Sequence, residues 1–388
     1  MKPNHWLPAA LLALAIAPHS HPAEIAVSSL SELVAAAGKA KPGDAVVLAA
    51  GDYETGGFLG GVRGDKAAPI TIRSADPENP AVFRGGKQAL HLSGCRYVTL
   101  SDLRIVGCAI NGLNIDDAGE KGSPAAGIVL QRLHISDIGP RGNHDGIKLS
   151  GVDRFAVRGC TIEGWGGSGI DMVGCHDGVI EACRFAGKAG FSQSNAVQMK
   201  GGSARIAVLA NRFENAGQRA INLGGSTGLE YFRPKVGAFE ASEIEVAGNL
   251  FIGSLAPVAW VNADGGHVHH NTIVDPEKWV VRILQENQGD GFKPCQGGVF
   301  EDNLIVFDRR VNVFANVGGG TAPETFRFRG NAWFERGAAR QRKPALPGAE
   351  AGGVYGVDPQ LDAAGAAKSG DARLMGKGAG GYQRDSNE

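Results

Sequence analysis

From Val98 onward the chain repeats a short template of alternating apolar positions that breaks at a bend: apolar, any, apolar, two of any type, then Leu, Cys or Asn, any, apolar. It occurs at Val98/Leu100/Leu103/Ile105, Ile128/Leu130/Leu133/Ile135, Phe155/Val157/Cys160/Ile162 and, opening on Gly178, Ile180/Cys183/Phe185. It continues at Ile206/Val208/Asn211/Phe213, Ile244/Val246/Asn249/Phe251, Val268/Asn271/Ile273, Phe300/Asn303/Ile305 and Phe326/Phe328/Asn331/Trp333. The bend position travels from Leu103 to Asn331, 228 residues in eight steps, a mean near 28. Period-two alternation without helical spacing means strands. A fixed period of this size means one solenoid coil per repeat, each strand pairing with the strands above and below it. The pattern therefore predicts an all-β fold, a single-stranded right-handed parallel β-helix of about ten coils, as one body over residues 24–335. Nine coils at about 4.8 Å make a rod of roughly 40 Å.

The bend position predicts an internal column of Leu133, Cys160, Cys183, Asn211, Asn249, Asn271, Asn303 and Asn331. Stacked buried asparagines can satisfy turn backbone groups and hydrogen-bond to one another, so they read as structural. Cys160 and Cys183 read as fillers of the same column, not as nucleophiles. An open solenoid presents a bare sheet edge, and residues 29–38 (SLSELVAAAG) supply a cover. Ser29 or Ser31 would cap a short helix burying Leu30, Leu33 and Val34, with Gly38 ending it. After Trp333 the periodicity fades, and residues 336–388, including RGAARQRK at 336–343, are expected to pack on the last coil or fray from it. Residues 1–23 read as a signal peptide: Lys2 and His5, an apolar run of 11 residues from Leu7 to Ala17, then small residues and prolines. The run is too short for a span of about 20 residues, so the expected location is secreted or periplasmic.

Composition sharpens this picture in three places. Glycine is 59 of 388 residues, about twice the usual ~7%, which suits an ordered chain with many turns. Lys and Arg total 39 against 40 Asp and Glu, so no global charge calls for nucleic acid or a membrane surface, and a monomer is expected. The six cysteines lack the paired spacing of a zinc site and read as buried thiols.

Each coil carries another strand just after the bend, and these align independently: Leu113-Asn114-Ile115, Ile147-Lys148-Leu149, Ile170-Asp171-Met172, Val197-Gln198-Met199, Ile221-Asn222-Leu223, Val258-Ala259-Trp260 and Val281-Arg282-Ile283. The middle residues point outward, giving a face of Asn114, Lys148, Asp171, Gln198, Asn222, Ala259 and Arg282, flanked by His144, Asp145, Lys200 and Arg219. Amides and isolated cations in such a row suit sugar hydroxyls and carboxylates. The longest loops leave this face, at residues 224–243 with Glu230, Tyr231, Arg233 and Lys235, and at 285–297. Long loops on one side of a solenoid build its binding wall. Lys148, Lys200, Arg219, Arg233, Lys235 and Arg282 are thus expected to converge on a site for an acidic polysaccharide. Tyr231 is a candidate for stacking on sugar or acting as an acid. His267, His269 and His270 lie beside ladder residue Asn271, with no carboxylate near them in sequence, and do not read as a metal site.

Two stretches resemble the polysaccharide lyases of the chondroitinase B and alginate lyase type. SSLSELVAAAGKAKPGDAVVLAAGDY with APITIRSADPENPAVFRGG is similar to that family's amino-terminal cap and first coils, and AVQMKGGSARIAVLANRF at 196–213 is similar to the segment that ends in its catalytic lysine. The resemblance implies Lys200 as the base that removes the C5 proton of a uronic acid, with β-elimination following. The family's arginine falls at about Gly224, so Arg219, or else Arg233, is expected to hold the carboxylate instead. The cofactor is left open: calcium belongs to the family, but its expected acidic ligands fall on Gln193 and Asn195, which are neutral. A lysine among cations could have a lowered pKa and serve as base. Three other readings compete: a glycoside hydrolase using Asp145 and Asp171, a uronate C5-epimerase, and a carbohydrate-binding β-helix without catalysis.

Overall fold

The computed structural model describes residues 22–384. The signal-peptide reading lies outside these residues except for Pro22 and Ala23. Three parallel sheets of 16, 12 and 10 strands run the length of a right-handed β-helix, each strand hydrogen-bonded to its counterpart one coil away. Every complete coil contributes one strand to each sheet in turn, and the ten strands of the third sheet mark ten complete coils. The main path of the first sheet has 13 strands, so the rod is roughly 58 Å long at about 4.8 Å per step. It exceeds the nine template copies because the first coils and the last rungs keep the strands without the template.

The bend explains why the template works. The residue just before each ladder position adopts a left-handed backbone: Asp102, Arg132, Gly159, Ala182, Ala210, Gly248, His270, Asp302 and Gly330, with φ between 49° and 67°. This kink turns the first sheet into the second, and the following side chain folds inside it. Asn211 Nδ2 donates to Asn249 Oδ1 at 3.0 Å, Asn249 to Asn271 at 2.9 Å, Asn271 to Asn303 at 3.0 Å and Asn303 to Asn331 at 3.0 Å. Each Oδ1 also accepts the backbone N–H of the preceding ladder residue, as from Cys183 and Asn211 at 2.8 and 2.9 Å. Below Asn211 the column continues with buried Cys183, Cys160 and Leu133. The apolar positions fill the bore, where Phe185, Phe213 and Phe251 stack with centroids 4.9 and 4.8 Å apart.

The amino-terminal cover is the helix Leu30–Ala37, whose N-cap Ser29 accepts the Glu32 N–H at 3.2 Å. Leu33 and Ala37 are its buried residues, while Leu30 and Val34 are only partly covered, so the buried stripe is displaced from the expected one. Gly38 closes the helix in the right-handed region, at φ −69°, and not in the left-handed cap conformation.

At the other end, residues 350–355 add short strands to the first and second sheets, and the chain then turns back along the rod. The outward row of the second sheet shows why. On the middle coils it reads Arg104, His134, Thr161, Arg184 and Arg212, then changes to Leu250, Thr272, Leu304 and Ala332. Those last four are buried, and Leu374 packs against Leu304 and Ala332. Thr272 Oγ1 donates to Gly365 O at 2.7 Å, and Arg384 reaches Glu181 at 2.5 Å. Removing residues 346–388 should uncover this apolar strip, lower the melting temperature and increase binding of a hydrophobic dye. Asn271→Ala should cost about 3 kcal/mol or more in chemical denaturation, because several buried partners lose their hydrogen bonds together.

Candidate functional site

The outward row of the third sheet forms in the expected register. Asn114 pairs with Lys148, Lys148 with Asp171, Asp171 with Gln198, Gln198 with Asn222, Asn222 with Ala259 and Ala259 with Arg282. The row is not an open face. Asp171, Asn222 and Ala259 have no exposed surface, because charged neighbours and returning loops cover them.

Four residues on consecutive coils make the centre. Asp171 lies between two lysines: its Oδ2 is in contact with Lys148 Nζ, and its Oδ1 is 3.1 Å from Lys200 Nζ. Lys148 also meets Asp145 Oδ2 at 3.3 Å, and Asp145 Oδ1 accepts the Ser168 N–H at 2.8 Å. Burial pushes the Asp145 carboxyl up, aided by the charge of Asp171, to about 6. Burial would raise Asp171 too, but the charges of Lys200 and Lys148 outweigh it and hold this carboxyl below its ordinary value. Burial would lower Lys148, yet Asp171 and Asp145 overcome it and keep the amine above the usual lysine range. Lys148 is therefore the fixed positive charge. The expectation of a lysine among cations alone is corrected here: Lys200 faces a carboxylate shared with a second amine.

Over this centre the loop at 225–240 encloses a cavity of about 610 Å³ with the loop after Asp116. Lys148, Lys200, Tyr231 and Arg233 line it, together with Asp116, Asp117, Asn143, Ser150 and Thr227. Arg233 is held by Asp117, Nε to Oδ2 at 2.7 Å and Nη2 to Oδ1 at 3.4 Å, and its Nη1 donates to Tyr231 O at 2.6 Å. Tyr231 is 58% exposed, its ring free at the rim. The loop is fastened by Glu240, fully buried, which accepts from Gly201 N–H at 2.7 Å, Thr227 N–H at 2.8 Å and Thr227 Oγ1 at 2.7 Å. Asn287 Nδ2 donates to the same carboxylate at 3.2 Å, and buried Asn262 accepts from the Glu286 and Asn287 N–H groups at 2.8 and 2.9 Å. One carboxylate thus joins both long loops to the coil of Lys200. Sequence reasoning passed over Asp117, Glu240 and Asn262; only Asp117 carried a signal, as the acidic residue just after the strand that ends in Asp116.

The remaining expected site residues fall elsewhere. Arg219 stands five positions before the end of its strand, about 16 Å of extended chain from the level of Lys200. It is paired with Glu286 at 2.5 Å and donates to Asn222 Oδ1 at 3.3 Å. It does not line the cavity, so the expected role as clamp beside Lys200 is corrected. Gly224 explains why no arginine follows the family pattern: at φ +100°, a Cβ there would stand 1.8 Å from Val261 O. Arg233 is the arginine that reaches the cavity. Arg282 lies farther along, its guanidinium 4.5 Å from the Trp279 ring centroid and its Nε bonded to Asn316 Oδ1 at 2.9 Å. Gln198 spends its amide on Asn195 and Lys200, both at 3.3 Å. The His144 ring folds over Gly139 within its own loop, and exposed Lys235 lies outside the cavity lining. Asp145 and Asp171, expected on the binding face, are buried beneath the lysines and hold those amines in place.

The expected calcium positions do not suit the ion. Gln193 Oε1 accepts the Lys188 N–H within its own loop, and Asn195 donates its amide to Gln198, so neither position supplies a carboxylate for the ion. The histidine trio does have carboxylates beside it, contrary to expectation: Glu301 is 3.2 Å from His267 and Glu245 is 3.1 Å from His269, both from neighbouring coils. Among the described residues no cluster of three or more His, Cys, Asp or Glu is arranged to hold a metal.

Residues 79–233 match the family model described as right handed beta helix region. An alginate lyase from a Paenibacillus species is 23% identical, with 86% of this chain and 99% of that one covered and a TM-score of 0.51. A pectate lyase is 11% identical over 95% and 94%, with a TM-score of 0.57. An α-1,3-glucanase from Streptomyces thermodiastaticus is 17% identical over 88% and 70%, with a TM-score of 0.55. No curated protein matches the sequence. At these identities the likeness establishes the right-handed parallel β-helix.

The buried Asp145 gives a pH signature. With its folded value raised to about 6, its contribution to stability is full below the ordinary carboxylate range and is lost as pH rises through 6. The melting temperature of the wild type should fall across pH 4 to 6 relative to Asp145→Asn. Parallel profiles for the two proteins would contradict the assignment.

Proposed function

We propose that this protein is a lyase that cleaves a uronate-containing polysaccharide by β-elimination inside the cavity over Lys148, Asp171 and Lys200. The observation that carries this is one neutral-to-cationic pocket in which two amines and a guanidinium converge while both central carboxylates are covered. An acidic sugar meets three cationic donors there, Lys148, Lys200 and Arg233, against one partly exposed carboxylate, Asp116, since Asp117 is covered by Arg233. Of the two amines, Lys148 is tied to two aspartates, while Lys200 meets one carboxylate, Asp171, and the neutral Gln198 amide, so Lys200 is the amine proposed to take the C5 proton. The electron pair left at C5 forms the C4–C5 double bond as the C4–O bond breaks. Tyr231 at the rim is placed to give the departing oxygen its proton. Lys148 and Arg233 stabilise the charge that builds on the uronate carboxylate during proton loss.

Hydrolysis fits less well, since two carboxylates flanking a glycosidic bond must reach it. Asp145 and Asp171 are 1% and 0% exposed, each under a lysine. The protein is taken to act as a monomer, secreted or periplasmic, where such polymers are met; the apolar run at Leu7 to Ala17 supports export.

Screening alginate, pectate, chondroitin, heparin-like and glucuronan substrates, with and without chelator, should show ultraviolet absorbance from an unsaturated uronide on at least one. Lys200→Ala should lower that rate by roughly 10²–10⁴-fold, the range for loss of a general base. Arg233→Ala should cost roughly 10²-fold or more, and Arg219→Ala distinctly less. Chain cleavage without the chromophore, or full activity in Lys200→Ala, would sink the reading.

A further inference from the structure

The outward row that passes through Lys148 begins three coils earlier, at Phe58. Phe58 pairs with His91, His91 with Asn114 and Asn114 with Lys148, so the phenyl ring heads the same column as the site. It is 55% exposed, a large aromatic on a regular strand where its neighbours in the row are polar. Its posture is specific. A Cβ at Gly60 would stand 2.7 Å from Phe58 Cε1, so the ring lies down over the bare backbone of Gly60 and leaves its other side open. His91 meets it edge-on, with centroids 5.2 Å apart. That imidazole is fixed in turn, its Nε2 2.6 Å from Asp116 Oδ2, and Asp116 lines the cavity. A continuous run of contacts therefore connects the aromatic ring to the cavity wall.

We infer that Phe58 is a distal sugar platform, on which a pyranose unit of the same polymer lies by its C–H face while another unit is processed over Lys200. This rests on the polysaccharide reading above and adds that the enzyme grips a long chain along the rod. A flat ring with one open face offers apolar contact to a sugar ring without competing for hydroxyls. The platform is five coils from Lys200, roughly 24 Å at about 4.8 Å per coil, beyond the reach of a di- or trisaccharide bound over the lysine. Catalysis on short oligomers should then be indifferent to Phe58.

The test compares wild type, Phe58→Ala and Phe58→Trp on polymers and short oligomers of alginate, pectate and chondroitin, and measures retardation of each protein in gels containing the same polymers. Phe58→Ala should raise KM for the polymer by roughly three- to ten-fold and weaken retardation, leaving kcat and the short-oligomer rates unchanged, with Phe58→Trp restoring both. Equal retardation of wild type and Phe58→Ala overturns the platform, as does an equal loss on long and short substrates or a wild type that no polymer retards. Weakened retardation in Phe58→Ala without any unsaturated product overturns the elimination reading and leaves the platform standing.

Discussion

Everything on the outside of this rod depends on register, and register depends on the bend. Each coil kinks through one left-handed residue and tucks the next side chain inward, and from Asn211 to Asn331 that side chain hydrogen-bonds to the side chain of the next rung and the backbone of the preceding one. A slip of one residue would break the ladder and turn every outward side chain inward. Because slipping is costly, residues dozens of positions apart become fixed neighbours: Phe58, His91, Asn114, Lys148, Asp171 and Gln198 form a column as definite as a motif on one helix.

On that scaffold the chemistry is set by how charge is buried. Two carboxylates and two amines occupy adjacent rungs, and their inequality gives each a different job. Asp145 is paired with only one lysine against its burial and gives up its charge near pH 6, Asp171 stays ionised between two lysines, and Lys148 carries the fixed positive charge. Lys200 meets a single carboxylate and lines the cavity. The wall above is equally dependent on a single buried group, since Glu240 binds the loop that carries Tyr231 and Arg233 to the coil of Lys200 and to the second long loop.

Period and alternation made the coils, the ladder and the outward row legible in the sequence, because each is a local pattern repeated about every 28 residues. The site was legible only as far as register carries it. Lys148, Asp171 and Lys200 share neighbouring rungs and were grouped correctly. Arg219 was misplaced because its partner Glu286 comes from a loop 67 residues later, and no spacing rule reports such a pairing. Arg233 could be named but not located, since Asp117, which positions it, is 116 residues earlier. The returning tail left a trace in the second sheet, where Arg184 and Arg212 give way to Leu250 and Leu304, but an apolar outward row does not say what covers it.

In the proposed arrangement a uronate lies over Lys200 with its carboxylate toward Lys148 and Arg233. Crystals of Lys200→Ala soaked with an oligouronate that the wild type cleaves would test it most directly. A sugar should then occupy the cavity with its C5 hydrogen facing position 200 and its carboxylate within hydrogen-bond distance of Arg233 or Lys148. An oligosaccharide bound only elsewhere on the rod, or one whose C5 faces away from position 200, would contradict it.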